Sequence, residues 1–190
     1  MKKILCILLL LLTGCSSKTS MIEIQKHVYV EKEFKDSWLE TNEFGDSYIK
    51  EELQGGYHYH FDQQFLEIFF NTGGKIELYN YSIKKNDLII SGEMIPPKTI
   101  RLVHPHLDNV TSEGVIIHEL GHYFDEKHQF SSSKQFTELY KKYRTLFNQK
   151  TKKEYFAECF KEYVGGHQEK VKPFHSYMKT ITQKICQKNK

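Results

Sequence analysis

The sequence predicts an α+β fold in a single domain. Three observations carry that expectation. Short β-branched and aromatic runs separated by turn residues occupy the stretch from about residue 65 to 103. After Asp108 the apolar spacing changes to a helical period and keeps it to the C-terminus. Strands followed by helices within 190 residues leave room for one core, with the helices gathered on one side of the sheet. Composition agrees. With 39% hydrophobic and 27% charged residues, the chain is neither disordered throughout nor a multi-span membrane protein. A formal net charge of +3 with no basic stripe argues against nucleic-acid binding.

Residues 1–14 read as a signal peptide rather than as part of the domain. Lys2 and Lys3 precede an unbroken apolar run at 4–12, which is too short to span a bilayer. The run ends in Leu12-Thr13-Gly14-Cys15, which resembles the lipobox of bacterial lipoproteins. That resemblance implies cleavage before Cys15, lipidation of its thiol and an extracytoplasmic, membrane-anchored location. Residues 15–22 then form the lipidated cysteine and a polar tether, and 23–190 form the domain. Of the four cysteines only Cys159 and Cys186 fall in the domain, where either a disulfide or two buried thiols is compatible with the sequence.

Within the domain, residues 34–39 and 47–53 read as short helices, the second ended by Gly55-Gly56. Residues 57–61 alternate aromatics with His58 and His60, as a strand would. An apolar run at 65–70 opens the next stretch, and Asn71-Thr72-Gly73-Gly74 marks a turn. Residues 75–83 alternate, 84–87 turn, 88–95 are apolar and β-branched, and Pro96-Pro97 breaks the pattern before a strand at Thr99–Val103. This spacing predicts a small antiparallel or mixed sheet. Then Ile117, Leu120, Gly121 and Phe124 trace one helical face, with Thr111 or Ser112 as N-cap. Ser132 and Gln135 resemble a capping box ahead of Phe136, Leu139, Tyr140 and Tyr143. A third helix starts at Thr151 and stops at Gly165-Gly166. A fourth opens at Pro173 and carries Phe174, Tyr177, Met178, Ile181 and Ile185 on one face.

The chemistry concentrates in His118-Glu119-Leu120-Gly121-His122, an HExxH motif on the first of the long helices. Residues four apart share a helix face one turn apart, so both imidazoles reach one metal ion. Glu119 sits about 100° around the helix from His118, beside the metal, where a general base for a metal-activated water belongs. A catalytic zinc requires a third protein ligand and an open position. His128 stands where a metzincin histidine would, but Asp125 replaces the glycine of that pattern. Glu154 and Glu158, four apart in Glu154-Tyr155-Phe156-Ala157-Glu158, offer another solution. One carboxylate binds the metal and the other orients a ligand histidine. Two other readings of Glu154 stay open: a capping-box partner of Thr151, or part of a solvated face. The remaining histidines, His58, His60, His104 and His106, are either further metal ligands or polar faces.

HELGHYFD followed by EYFAECF resembles the catalytic domain of anthrax lethal factor and its relatives, among them the clostridial Pro-Pro endopeptidases. The resemblance runs from about Thr99 to the C-terminus and implies a zincin-like fold and a zinc metalloendopeptidase. It implies one Zn2+ held by His118, His122 and Glu154, with Glu119 as general base and Glu158 supporting a ligand histidine. It also implies a peptide substrate extended along an edge strand, for which Thr99–Val103 is the candidate. The family places an oxyanion-stabilising tyrosine seven residues before the ligand glutamate, and here that residue is Phe147. Phenylalanine donates no hydrogen bond. Either Tyr143 or Tyr155 serves instead, or the chain is a catalytically weakened lipoprotein acting as a binding or structural module. A toxin-like protease for host proteins is a third reading, and the lipid anchor favours substrates near the cell envelope.

Overall fold

The computed structural model describes residues 20–41, 46–85, 88–104, 113–149 and 151–188. The signal segment, Cys15, His106, Thr111 and Ser112 lie outside them. Among the described residues seven strands are formed: β1 (Met21–Gln25), β2 (Val28–Glu31), β3 (Lys75–Tyr79), β4 (Ile83–Lys85), β5 (Leu88–Ile90), β6 (Gly92–Ile95) and β7 (Thr99–Val103). Five of them make one sheet in the order β1-β2-β3-β7-β6, while β4 and β5 form a separate hairpin. The sheet is mixed. The β1–β2 and β6–β7 pairs are antiparallel, and β2–β3 and β3–β7 are parallel.

The parallel pairs follow from what lies between the strands. A parallel pair requires a crossover, commonly helical. Between β2 and β3 the chain forms α1 (Lys35–Leu39), α2 (Tyr48–Gln54) and α3 (Gln64–Asn71). The apolar run at 65–70 is therefore helix, not strand. Its buried residues Phe65, Leu66, Ile68 and Phe69 fall on one helical face, a pattern that a short run cannot distinguish from a strand by periodicity alone. Residues 57–61 form no strand. They cross the end of a later helix instead, where His60 N–H donates to Gly165 C=O at 2.9 Å.

The strand Thr99–Val103, expected at the edge, is β7 and lies inside the sheet. It is paired on one side with β3 and on the other with β6, and Ile100, Leu102 and Val103 are buried. Its backbone groups are committed on both sides and cannot receive a peptide. The edge belongs to β6, because the chain reverses after Ile95 and brings β7 inward alongside β3.

Four longer helices follow: α4 (Val115–His128), α5 (Lys134–Tyr143), α6 (Lys152–Val164) and α7 (His175–Gln187). The α4 N-cap position is held by Gly114 at φ 72°, a left-handed conformation suited to glycine, rather than by Thr111 or Ser112. The α5 cap is Ser133, one residue later than expected, since Ser132 is used in a 3₁₀ turn at Phe130–Ser132. Thr151 caps α6 as expected, its hydroxyl accepting from Glu154 N–H at 3.2 Å. Pro173 lies in a 3₁₀ segment, Gln168–Phe174, that leads into α7.

One core joins the layers. Val28, Val30, Ile76, Leu78, Ile100 and Leu102 from the sheet meet Phe69, Leu120, Phe124, Phe156 and Phe160 from the helices. The contact that matters most for the site is α4 against α6. A Cβ on Gly121 would stand 2.9 Å from Ala157 Cα, so the two backbones approach as closely as a glycine allows. Gly121→Ala gains about 0.8–1 kcal/mol of helix propensity. It forces overpacking that costs about 1–3 kcal/mol. Its urea midpoint is expected to fall, and an unchanged midpoint would show that the helices part freely.

Candidate metal centre

The amphipathic helix α4 buries Ile116, Ile117, Leu120 and Phe124, which turns His118 and His122 towards α6. Their rings lie 4.8 Å apart, with the two Nε2 atoms at 3.1 Å. Glu154, in the first turn of α6, places Oε2 at 3.3 Å from both nitrogens. Ligands bonded to zinc at about 2.0–2.1 Å in a tetrahedron are separated by about 3.3 Å. The three atoms thus occupy one face of a tetrahedron of the right size. Among the described residues, this is the group of histidine, cysteine and carboxylate atoms close enough together to hold an ion.

The donor chemistry fits as well as the spacing. Glu158 Oε2 lies 3.2 Å from His118 Nδ1. A carboxylate there requires the N–H on Nδ1, which leaves the Nε2 lone pair for a metal. Burial works against charge on His118, but the hydrogen bonds to Glu154 and Glu158 outweigh it and push the ring up to about 9, so a metal binds Nε2 in exchange for its proton. Hydrogen bonds from His118 and His122 hold the Glu154 carboxyl well below the usual carboxylate range. The Thr151 cap and the ligand role of Glu154 are compatible, because the cap uses the Glu154 backbone N–H and leaves its carboxylate free for the histidines.

Glu119 is buried, and burial is the largest cause of the upward shift of its carboxyl. The nearby backbone of Met94 on the edge strand β6 opposes that shift. Glu119 therefore lies between the histidines and the sheet edge. A cleft of about 650 Å³ opens at this point. Gly92, Glu93, Met94 and Pro96 form one wall, the histidines, Glu119, Asp125 and Glu126 the floor, and Gln149, Lys153 and Glu154 the other wall.

The two tyrosines expected as oxyanion donors are not at the cleft. Tyr155 is fully buried and donates its hydroxyl to Tyr143 C=O at 2.5 Å. One residue beyond Glu154 turns about 100° around the helix, which points Tyr155 into the core. Tyr143 stacks against Phe174 at 6.1 Å, and Phe147 joins the same aromatic cluster at 5.3 Å from Tyr155. Among the described residues, the side-chain N–H donors that line the cleft, apart from the histidines, are Gln149 and Lys153. Both precede Glu154 in the chain, yet neither belongs to a recognisable motif, so nothing in the sequence singles them out.

The other histidines have separate roles. His104 is buried between Trp38 and Tyr48, each ring at 4.8 Å, with Nε2 3.1 Å from Ser37 C=O. His58 pairs with Glu113 at 2.5 Å on the surface. His128 ends α4 and packs on Phe130 at 5.1 Å, apart from the metal triad. Cys159 is buried and Cys186 half-buried, and no disulfide joins them. Asp125, marked in the sequence only as the replacement for the metzincin glycine, is buried and accepts from Ser131 N–H at 2.6 Å and Ser131 Oγ at 2.7 Å, which fastens the turn after α4.

No protein-family model matches the sequence. No curated protein matches it either. The fold itself has a counterpart among solved structures. It is similar to the structure of the Pro-Pro endopeptidase from Paenibacillus alvei, with a TM-score of 0.58 over 82% of this chain and 97% of that one, at 16% sequence identity.

The tyrosine assignment is testable without a substrate. Tyr155→Phe removes a core hydrogen bond and is expected to lower stability by about 1 kcal/mol. Metal stoichiometry should not change. A large loss of bound metal with unaltered stability would return Tyr155 to the site.

Proposed function

We propose that the chain is a zinc-dependent endopeptidase in which His118, His122 and Glu154 hold Zn2+ and Glu119 acts as general base. The observation that carries the reading is the tetrahedral-face spacing of Nε2, Nε2 and Oε2, at 3.1–3.3 Å, with a buried carboxylate beside it. The Pro-Pro endopeptidase fold supports the same reading. When bound, zinc supplies Lewis acidity and lowers the pKa of its water towards ~7.

The protein's own groups do the rest. The Glu119 carboxylate takes the proton of the attacking water and passes it to the leaving amine nitrogen. Glu158 keeps the His118 proton on Nδ1. The edge strand β6, which lines the cleft, offers its outer backbone groups to an extended peptide. Gln149 and Lys153 stand on the opposite wall, where N–H donors meet a developing oxyanion. Lipidation of Cys15 after removal of residues 1–14 would hold this domain at the outer face of the cell membrane, with extracytoplasmic peptides or proteins as substrates.

A second reading rests on Phe147. Its ring is packed against Tyr155 and brings no hydroxyl to the cleft, which favours a weakened enzyme or a binding module. Digestion of a broad peptide library with and without chelator separates the two. Chelator-sensitive cleavage is the expected outcome, and a wild-type protein that binds zinc yet cleaves nothing would favour the binding module. Glu119→Gln should keep zinc in metal analysis and lose cleavage by about 10²-fold or more; wild-type turnover in that variant would refute the base assignment. His118→Ala should lose the metal, and full zinc retention would overturn the ligand set.

A further inference from the structure

The metal-facing side of α6 continues beyond Glu158. Lys161, one turn further, places Nζ 2.6 Å from Glu158 Oε1, while Glu158 Oε2 holds His118 Nδ1 at 3.2 Å. The lysine side chain is only 16% exposed and that of Glu158 14%, so this ion pair is largely withdrawn from water. Lysine is almost never buried unless paired. The shorter of its two ion pairs is with the carboxylate that orients a proposed metal ligand, and the other is with Glu162 Oε1 at 3.7 Å.

The surroundings hold the ammonium in place. Tyr59 lies beneath it, with Nζ 5.8 Å from the ring centroid. The Tyr59 hydroxyl donates to Glu162 at 3.0 Å. The ring is seated between the start of α4 and the end of α6. A Cβ on Gly114 would stand 2.9 Å from both Tyr59 Cζ and Lys161 Cδ, and one on Gly165 would meet the same ring. Two glycines thus open the space that the tyrosine and the lysine stem fill.

We infer that Lys161 is a positioning residue for the metal centre: its ammonium fixes Glu158, which in turn fixes the His118 ring and tautomer. The inference rests on the zinc reading above. Groups that orient a metal ligand typically contribute 10–100-fold in metal affinity. The ion pair tightens that support in a way a carboxylate alone does not, because one oxygen is anchored by charge and the other is left to accept from Nδ1.

The test is a zinc dissociation constant measured by competition with a chromophoric chelator, which needs no substrate. K161M, which keeps the length of the side chain and removes its charge, should bind zinc about 10–100-fold more weakly. K161R should recover affinity to within about threefold, since guanidinium pairs with carboxylate at least as well. In an E158Q background, K161M should add little further loss, because the lysine acts through that carboxylate. The visible spectrum of the cobalt-substituted protein should shift in K161M and return in K161R. If K161M loses its helical circular dichroism, K161Q takes its place in the same series. Wild-type zinc affinity in K161M, or an equal loss whether or not Glu158 is present, overturns the inference. A wild-type chain that binds no zinc overturns the metal reading and this inference together.

Discussion

The structure depends on the close approach of α4 and α6 at Gly121 and Ala157. Helices with ordinary side chains at the contact pack with axes about 8–10 Å apart. Here one partner has no Cβ and the other a single methyl group, and a Cβ on Gly121 would already be 2.9 Å from the opposing backbone. That proximity lets a glutamate on one helix and two histidines on the other bring their terminal atoms within 3.3 Å. It also sets the distance from Glu158 to His118. The flanking aromatics, Phe124 and Phe160 at 5.6 Å among them, fill the volume on either side and hold the two helices against sliding.

The carboxylates of α6 explain why such a crowded acidic stripe is stable. Glu154, Glu158 and Glu162 follow one another every four residues along one face. Each has its own compensation. Glu154 meets two imidazoles, Glu158 meets His118 and Lys161, and Glu162 accepts from Tyr59, His167 and Lys170, each at 3.0 Å. Glu158 and Glu162 are withdrawn from water, and each would cost several kcal/mol if left unpaired, whereas Glu154 is half-exposed. The same pairing accounts for the crossing segment at 57–61. Tyr59 is spent on Glu162 and on Lys161, which ties the segment before the sheet to the helix that carries the third metal ligand.

The sheet has a comparable division of labour. Because β7 pairs on both sides, its residues serve the core, and the edge passes to β6. Met94 on that edge strand lies close enough for its backbone to act on the Glu119 carboxyl. The strand that would receive a peptide and the carboxylate that would activate water thus border one cleft.

Much of the site was legible in the chain because its geometry is local. His118, Glu119 and His122 lie within a single helical turn, and Glu154 and Glu158 within another, so helix periodicity alone sets which of them share a face. The α+β class, the long helices and the Thr151 cap followed from the same local rules. What the sequence could not determine depends on pairing between distant segments. A strand's place in a sheet is set by its neighbours, and Thr99–Val103 carries the same alternation whether it lies at the edge or inside. The apolar run at 65–70 is a helix because its buried residues pack on one helical face into the core, which a short run does not reveal by itself. Tyr155 looked available from its position beside Glu154, but only the packing of α5, α6 and α7 shows that its ring is in the core. Lys161 and Tyr59 are about a hundred residues apart in the chain and meet only because glycines at 114 and 165 leave room for them. The sequence by itself thus determined which side chains share each helical turn. Tertiary structure alone decided how close the two turns come and which strand borders them, because those depend on side-chain volume and strand order rather than on spacing along the chain.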